Sequence, residues 1–152
     1  HWKNLKNLAY ANAYLRAAVQ AYRMGDYQDG QRALGEAVRL DPELCANGAK
    51  ELSRRLSALA DSPKIRNKLI FLEQVYRHLP ENLTALERRK NRDLGQFAVN
   101  QGFAAYQRGD WVTARSSLFQ AIRYQPSWLM NRGVLAILLR SLWRGSTFRR
   151  FS

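Results

Sequence analysis

Apolar residues recur every three or four positions along almost the whole chain, which is the spacing of one face of an α-helix. The first run predicts a helix from about Asn4 to Met24, and its apolar positions are Leu5, Leu8, Ala11, Leu15, Ala18 and Tyr22. Similar runs predict helices at about 27–40, 42–60, 63–79, 84–108, 111–124 and 126–143. No stretch alternates apolar and polar residues between turn signals, as a strand does. The sequence therefore predicts an all-α fold of about seven helices.

Glycine, proline and small polar residues mark the predicted helix ends. Gly25 and Gly109 are predicted to end two of the helices, because glycine accepts the left-handed conformation of a helix C-terminus. Asp41 and Ser62 are each followed by proline, which predicts an N-cap with proline at the first helical position. Pro126 is predicted to open the seventh helix in the same way.

One short phrase occurs twice in the chain. YRMGDY at 22–27 and YQRGDW at 106–111 share an aromatic residue, a Gly-Asp pair and a second aromatic residue. The correspondence continues at the same offset on both sides of the phrase. The matched pairs are Ala18 with Gly102, Leu34 with Leu118, Ala37 with Ala121, Val38 with Ile122, Arg39 with Arg123, and Pro42 with Pro126. Such a repeat indicates duplicated architecture, since stacked helical folds reuse one helix-turn-helix unit.

This pattern resembles the tetratricopeptide repeat, a helix pair of about 34 residues marked by small, aromatic, Gly-Asp-aromatic, Ala and Pro positions. The resemblance is specific over 14–42 and 98–126, and it implies antiparallel helix pairs stacked as a superhelix. The helical domain would cover 1–143, with pairs at about 4–41, 42–79 and 83–125 and a capping helix at 126–143. Residues 144–152 are predicted to form a basic tail.

The same resemblance implies a peptide-binding groove lined by the first helix of each pair. The candidate groove residues are Asn12, Leu15, Arg16, Val19, Tyr22 and Arg23 from one pair, and Val99, Asn100, Phe103, Tyr106 and Gln107 from another. The family's clamp for terminal carboxylates requires a Lys and an Asn one helical turn apart. Leu15 and Val19 occupy those positions here, and Asn100 alone retains a clamp-like side chain.

A second resemblance concerns the C-terminal part of the chain. PSWLMNRGVLAILLRSLW at 126–143, following AAYQRGDWVTARSSLFQAIRYQ, is similar to the helical region after the catalytic domain of many bacterial family 2 glycosyltransferases. FLEQVYRHLPENLTAL at 71–86 resembles the spacer of those proteins. The resemblance implies a non-catalytic interaction, positioning or oligomerisation domain of an enzyme that uses a nucleotide-sugar donor. The start at His1 rather than Met fits a piece of a longer protein.

No combination of residues predicts catalysis in this chain itself. Sugar transfer from a nucleotide donor generally needs an acidic pair that holds a divalent metal, and the acids here are scattered singly. Cys45 is the single cysteine, and His1 and His78 are isolated from other metal-ligating residues in the sequence. We therefore predict no catalytic residue, no metal and no cofactor.

The chain is strongly basic, with a formal net charge of +13, which favours an acidic partner. After Asp110 the sequence contains seven arginines and no acid. The candidate basic patch comprises Arg88, Arg89, Lys90, Arg92, Arg140, Arg144, Arg149 and Arg150. One interpretation is a solvated cationic face. The other is a tail whose Trp143, Phe148 and Phe151 anchor it to an anionic membrane surface or an acidic partner.

The predicted partners are proteins: the parent catalytic domain, a peptide or a second copy of the chain. The alternatives are a free-standing adaptor that binds peptides or acidic partners, and a basic peripheral membrane module. Nucleic acid is disfavoured, because charge is the only feature that supports it. The apolar run Gly133–Leu139 is much shorter than the about 20 residues that cross a bilayer. We expect a cytoplasmic protein, peripheral to the inner face of the membrane in the third alternative.

Overall fold

The computed structural model describes the backbone of residues 2–147, and the side chains of these residues except Lys3, Asn4 and those at 144–147. This part of the chain contains seven α-helices, two 3-10 helices and no strand. The all-α prediction is therefore confirmed. The α-helices are α1 Trp2–Met24, α2 Tyr27–Leu40, α3 Ala46–Ala60, α4 Lys68–Arg77, α5 Thr84–Gln107, α6 Trp111–Tyr124 and α7 Arg132–Thr147, and the 3-10 helices are Pro42–Cys45 and Pro126–Met130.

The chain divides into two compact units, His1–Lys90 and Asn91–Ser152. The first unit contains α1 to α4 and the start of α5, and the second contains the rest of α5 together with α6 and α7. In the first unit α2, α3 and α4 all contact α1, and in the second α7 contacts α6. Leucine dominates the fully buried side chains, which are Leu15, Leu34, Leu44, Leu52, Leu56, Leu86, Leu94, Leu118, Val75, Val99, Val134 and Ser141. Burial of each leucine contributes roughly 1.5–3 kcal/mol relative to exposure.

The two Gly-Asp phrases have the same backbone structure. Gly25 and Gly109 have φ values of +82° and +77°, the left-handed conformation that ends a helix. The carboxylate of Asp26 accepts a hydrogen bond from the Asp29 backbone N–H at 3.2 Å. The Asp110 carboxylate accepts the equivalent bond at 3.0 Å and caps α6. The predicted glycine turns are confirmed, and the repeat is structural.

The matched core positions of the two copies are also equivalent. Leu34 and Leu118 are fully buried, and so are Ala37 and Ala121. The first copy has Ala18 where the second has Gly102, and a Cβ built on Gly102 would lie 2.7 Å from Leu118 Cγ. Glycine at this position therefore lets α5 and α6 approach closely. Stacking of the helix pairs as a tetratricopeptide superhelix stays a prediction.

The predicted start of the third helix at Pro42 is wrong. Residues Pro42–Cys45 form a 3-10 helix, and Asp41 makes no side-chain capping hydrogen bond to it. Asn47, Gly48 and Ala49 then adopt left-handed φ values of 51°, 67° and 59° in the first turn of α3. Asn and Gly tolerate this conformation, and Ala49 adopts it as well. The three residues form a kink, after which the regular part of α3 begins.

The predicted N-cap of the fourth helix at Ser62, with Pro63 as its first residue, is also wrong. Ser62 Oγ accepts a hydrogen bond from the Lys64 N–H at 3.4 Å, which forms a local turn rather than a cap. The cap is Asn67, whose Oδ1 accepts a hydrogen bond from the Ile70 N–H at 3.1 Å. Ile65 is buried but lies outside the helix. The residues before α4 therefore contribute to the core without helical structure.

The seventh α-helix starts later than Pro126, its predicted first residue. Pro126–Met130 is a 3-10 helix, as is the segment that follows the matching Pro42. Asn131 Oδ1 then accepts hydrogen bonds from the Gly133 N–H at 2.9 Å and the Val134 N–H at 3.2 Å. These bonds satisfy amides at the start of α7. The first residues of the predicted tail, 144–147, belong to the last turn of α7.

Gly102→Ala is expected to destabilise the protein by about 1–3 kcal/mol, because the new methyl group must displace the Leu118 side chain. Gly35→Ala in α2 is the control, since a Cβ at Gly35 meets no atom within 4 Å. This control should stabilise the protein by roughly 0.5–1 kcal/mol. Urea unfolding followed by circular dichroism measures both values. Stabilisation by both substitutions would contradict the close approach of α5 and α6.

Candidate functional site

The candidate groove residues lie in two different environments. Val19, Tyr22 and Val99 are buried, so their side chains belong to the core, which corrects their assignment to an open groove. The apolar stripe of α1 is buried from Ala11 to Tyr22, where α2, α3 and α4 contact this helix, whereas Leu5 and Leu8 are exposed. Leu15 is buried in the same way and also belongs to the core. The remaining candidates are the exposed Asn12, Arg16, Asn100 and Gln107 and the half-buried Arg23, Phe103 and Tyr106.

Tyr22 holds the α1–α2 turn to the end of α4. Its hydroxyl donates a hydrogen bond to the His78 backbone carbonyl at 2.6 Å. The neighbouring Tyr27 ring stacks on the His78 imidazole, with ring centroids 3.9 Å apart and an interplanar angle of 4°. Burial raises the pKa of the Tyr22 hydroxyl above its ordinary value of 10.0. The first aromatic phrase therefore has a structural role.

The second copy of the phrase holds α7 through a different contact. The Tyr106 ring meets Trp111 edge to face, with centroids 5.0 Å apart. The Tyr106 hydroxyl accepts a hydrogen bond from Arg140 Nη1 at 3.2 Å. This bond raises the pKa of the Arg140 guanidinium above its ordinary value. Arg140, a member of the candidate basic patch, is thus bound to α5.

The two exposed candidates of the first unit, Asn12 and Arg16, line a groove between α1 and α3. Its volume is about 310 Å³. The groove is lined by Asn12, Leu15, Arg16, Arg54, Arg55, Ala58 and Leu59. Three guanidinium groups therefore share one groove with three apolar side chains, and this combination can contact both a carboxylate and an aliphatic group.

A single carboxylate on α3 organises two of the three arginines. Glu51 Oε1 accepts hydrogen bonds from Arg54 Nη2 at 2.6 Å and from Arg55 Nε at 2.8 Å. Arg55 Nη1 also donates a hydrogen bond to Asn12 Oδ1 at 2.8 Å, which connects α3 to α1. Arg16 makes no hydrogen bond or ion pair within the described residues. Because one carboxylate pairs with two of the three guanidinium groups and Arg16 has none in the part of the chain that the structure describes, the groove keeps an excess of positive charge.

Sequence reasoning found the α1 half of this groove and missed the α3 half. The resemblance to tetratricopeptide repeats selected Asn12 and Arg16. Arg54 and Arg55 follow Glu51 by three and four residues, the spacing at which helical side chains pair, so the ion pairs were visible in the sequence. Their position opposite Arg16 depends on the packing of α3 against α1, which local patterns do not encode.

The candidate basic patch is divided by the boundary between the units. Arg88–Lys90 belong to the first unit, and Arg92 and Arg140 belong to the second. Arg149, Arg150 and the side chain of Arg144 lie outside the described residues. Phe148 and Phe151, which the membrane-anchor interpretation uses, also lie outside them.

The described part of the chain offers little other candidate chemistry. Among the described residues, no group of three or more His, Cys, Asp and Glu side chains is placed to hold a metal ion. No helix in the described range combines the length and the apolar character needed to cross a membrane. Cys45 is half-buried, and burial raises the pKa of its thiol. The α1–α3 groove is therefore the best-supported candidate site.

Comparison with protein-family models, with curated proteins and with solved structures found no match for this chain. The tetratricopeptide and glycosyltransferase resemblances therefore stay predictions. Assignment of a function depends on the geometry of the groove and on the charges of its residues.

Tyr22→Phe is expected to lower the free energy of unfolding by about 1 kcal/mol, because the His78 carbonyl loses its hydrogen bond. The pKa of the Tyr22 hydroxyl is raised in the folded protein, so ionisation above pH 10 favours the unfolded state. The variant should therefore lose less stability above pH 10 than the wild type. Chemical denaturation at several pH values measures both effects. Equal stability of variant and wild type at neutral pH would refute this role.

Hydrogen bonds from Arg54, and next from Arg55, lower the pKa of the Glu51 carboxyl from 4.5 to about 2. The stabilisation from these pairs is complete above pH 4.5 and is lost as the pH falls towards 2. NMR titration of the Glu51 carboxyl should show a midpoint near 2, and Arg54→Ala should raise it. Arg39→Ala is the control, because Arg39 pairs with Glu36 instead. A wild-type midpoint near 4.5 would show that the pairs do not form in solution.

Proposed function

We propose that the chain is a non-catalytic helical interaction module whose first unit binds an acidic protein segment in the α1–α3 groove. The observation that carries this proposal is the convergence of Arg16, Arg54 and Arg55 on one groove. Arginine presents several N–H donors in a planar arrangement that matches a carboxylate. A ligand that carries carboxylates can therefore bind the arginines that line the groove.

The apolar part of the groove narrows the class of ligand further. Leu15, Ala58 and Leu59 line the groove with the arginines, and Ala58 and Leu59 are the two that are accessible at its surface. A small anion would leave these side chains without contact, whereas a peptide can place an aliphatic side chain against them while its carboxylates meet the arginines. The preferred ligand is therefore a peptide segment in which acidic and aliphatic residues are close together.

Glu51 supports binding by ordering the arginines before the ligand arrives. Its carboxylate restrains Arg54 and Arg55, which lowers the conformational entropy lost on binding. It also competes with the ligand for the same donors. Arg16 has no such competitor among the described residues, so a ligand carboxylate at Arg16 adds an ion pair without breaking one.

We also propose, from the resemblance of 126–143, that the module belongs to a bacterial family 2 glycosyltransferase and positions a partner or acceptor. The parent protein would then use a nucleotide-sugar donor in another domain. Reading the coding sequence upstream of His1 tests this context. Strands alternating with helices and a closely spaced pair of Asp residues would support it, whereas further helix pairs alone would favour a free-standing adaptor.

Binding can be tested with a fluorescein-labelled peptide of alternating Glu and Leu, with a Gln and Leu peptide as the uncharged comparison. Arg16→Ala and Arg54→Ala should each weaken binding of the acidic peptide roughly three- to tenfold, because each removes a charge-assisted hydrogen bond. Arg39→Ala is the matched control. Its side chain is 67% exposed, as that of Arg54 is, and each pairs with a glutamate three residues earlier.

Glu51→Gln provides a test of opposite sign. The Gln amide oxygen can still accept hydrogen bonds from Arg54 and Arg55 and so keep them ordered, but it no longer competes as an anion, so peptide binding should strengthen. Fluorescence anisotropy at constant ionic strength measures all of the variants. If Arg39→Ala weakens binding as much as Arg54→Ala does, the peptide senses only net charge and the groove is not the site. Equal affinity for the acidic and uncharged peptides would also refute the proposal.

A further inference from the structure

Helix α7 has apolar side chains on two adjacent faces, about 100° apart around the helix axis. One face packs into the second unit, where Val134, Leu138 and Ser141 are buried. The other face leaves Leu135, Leu139 and Leu142 exposed at the i, i+4 and i+7 spacing that aligns side chains on one side of a helix. A helix that packs on a single core needs only one such face, so packing within the unit does not explain the second.

The exposed stripe is bordered by cationic and aromatic side chains. Leu139 is 66% exposed and Trp143 is 84% exposed. At 100° per residue, Arg132 and Trp143 lie about 20° and about 40° from Leu139 around the helix axis, whereas Arg140 lies about 100° from it. Arg132 makes no ion pair or hydrogen bond within the described residues. The exposed side of α7 therefore combines aliphatic, indole and guanidinium groups.

The charge of the surrounding sequence is of one sign. From Trp111 to Ser152 the chain has seven arginines and no aspartate or glutamate. Any surface that covers the exposed face of α7 thus meets positive charge alone from this part of the chain. Charge complementarity requires that the covering surface be negatively charged.

We propose that the exposed face of α7 docks on an anionic lipid bilayer, with the helix lying in the membrane interface. Leu135, Leu139 and Leu142 would enter the boundary between headgroups and acyl chains, as the apolar face of an interfacial helix does. Trp143 suits the same depth, because its ring is apolar and its N–H is polar. Arg132, beside the stripe, would extend its side chain to the phosphate groups.

Two features favour a bilayer over a protein partner. The three aligned positions of the stripe are all leucine, with no polar side chain among them that would fix the position of a specific protein partner. A second copy of the chain would bring two arginine-rich helices together without any acid from 111–152 to pair with them. A bilayer with anionic lipids provides both an apolar layer and an evenly distributed negative charge.

The whole chain can be tested by co-sedimentation with phosphatidylcholine vesicles that contain or lack phosphatidylglycerol. We expect binding to the anionic vesicles alone, and weaker binding in 1 M salt, where the Debye length falls to about 3 Å. Leu139→Asp should weaken binding at least about tenfold, because it places a negative charge in the apolar stripe. Ile70→Asp is the control, since Ile70 is also an exposed aliphatic residue, 52% exposed, and lies on α4.

Arg132→Gln keeps the proposal testable if Leu139→Asp unfolds the protein, which circular dichroism would reveal. This exposed arginine has no partner to lose within the described residues, and its removal should weaken binding to anionic vesicles about fivefold. Its binding to neutral vesicles should not change. Blue-shifted Trp143 fluorescence on vesicle addition, absent in Trp143→Phe, would place the end of α7 in the interface.

Three results would overturn the proposal. The first is equal binding to neutral and anionic vesicles, or binding to neither. The second is equal loss of binding in Leu139→Asp and Ile70→Asp, or no loss in Leu139→Asp. The third is a wild-type dimer that Leu139→Asp converts to a monomer in analytical ultracentrifugation, with no vesicle binding. That last result would assign the exposed face of α7 to a second copy of the chain.

Discussion

The helix pair of each unit depends on one backbone constraint, the left-handed reversal at Gly25 or Gly109. This conformation costs other residues roughly 1–2 kcal/mol, so glycine is preferred where the chain must turn back at once. The following aspartate caps the next helix, and the turn thereby also determines where that helix begins. The aromatic residues on either side of the turn are brought together as a consequence, with Tyr22 and Tyr27 centred 6.4 Å apart.

The same turn supports two different attachments to a later helix. Tyr22 is buried and donates to a backbone carbonyl, so α4 is held by an interaction that any side chain at position 78 would offer. Tyr106 is half-buried and accepts from the side chain of Arg140, so α7 is held partly by a contact at the surface. Exposed hydrogen bonds to a charged group contribute little to stability because water competes for both partners. Burial of Val134 and Leu138 therefore provides more of the attachment of α7 than Arg140 does.

Local signals in the sequence predicted much of the fold, and tertiary contacts account for the errors. The bounds predicted for α2 and α6 are correct, because a glycine and a capping aspartate precede each helix. Proline predicted the helix starts at Pro42 and Pro126 incorrectly, because it begins a 3-10 helix at both positions. The capping residues Asn67 and Asn131 were not recognised in the sequence. For the groove, the apolar stripe of α1 was visible, but its contact with α3 was not. Tyr22 was therefore assigned to a surface although it lies in the core.

Arg54 and Arg55 of the α1–α3 groove are ion-paired, whereas Arg132 of α7 is not in the part of the chain that the structure describes, and this affects which anions each surface can recognise. Arg54 and Arg55 are fixed by Glu51, so their donors have defined directions and a ligand must match them in geometry. Arg132 has no carboxylate partner within the described residues, and its charge can follow any anion nearby. Fixed donors favour a ligand of defined shape, whereas mobile charges beside an apolar stripe favour a surface whose charge is spread evenly. This difference between Arg54 and Arg132 is the reason that an acidic peptide is proposed for the groove and an anionic bilayer for the exposed face of α7.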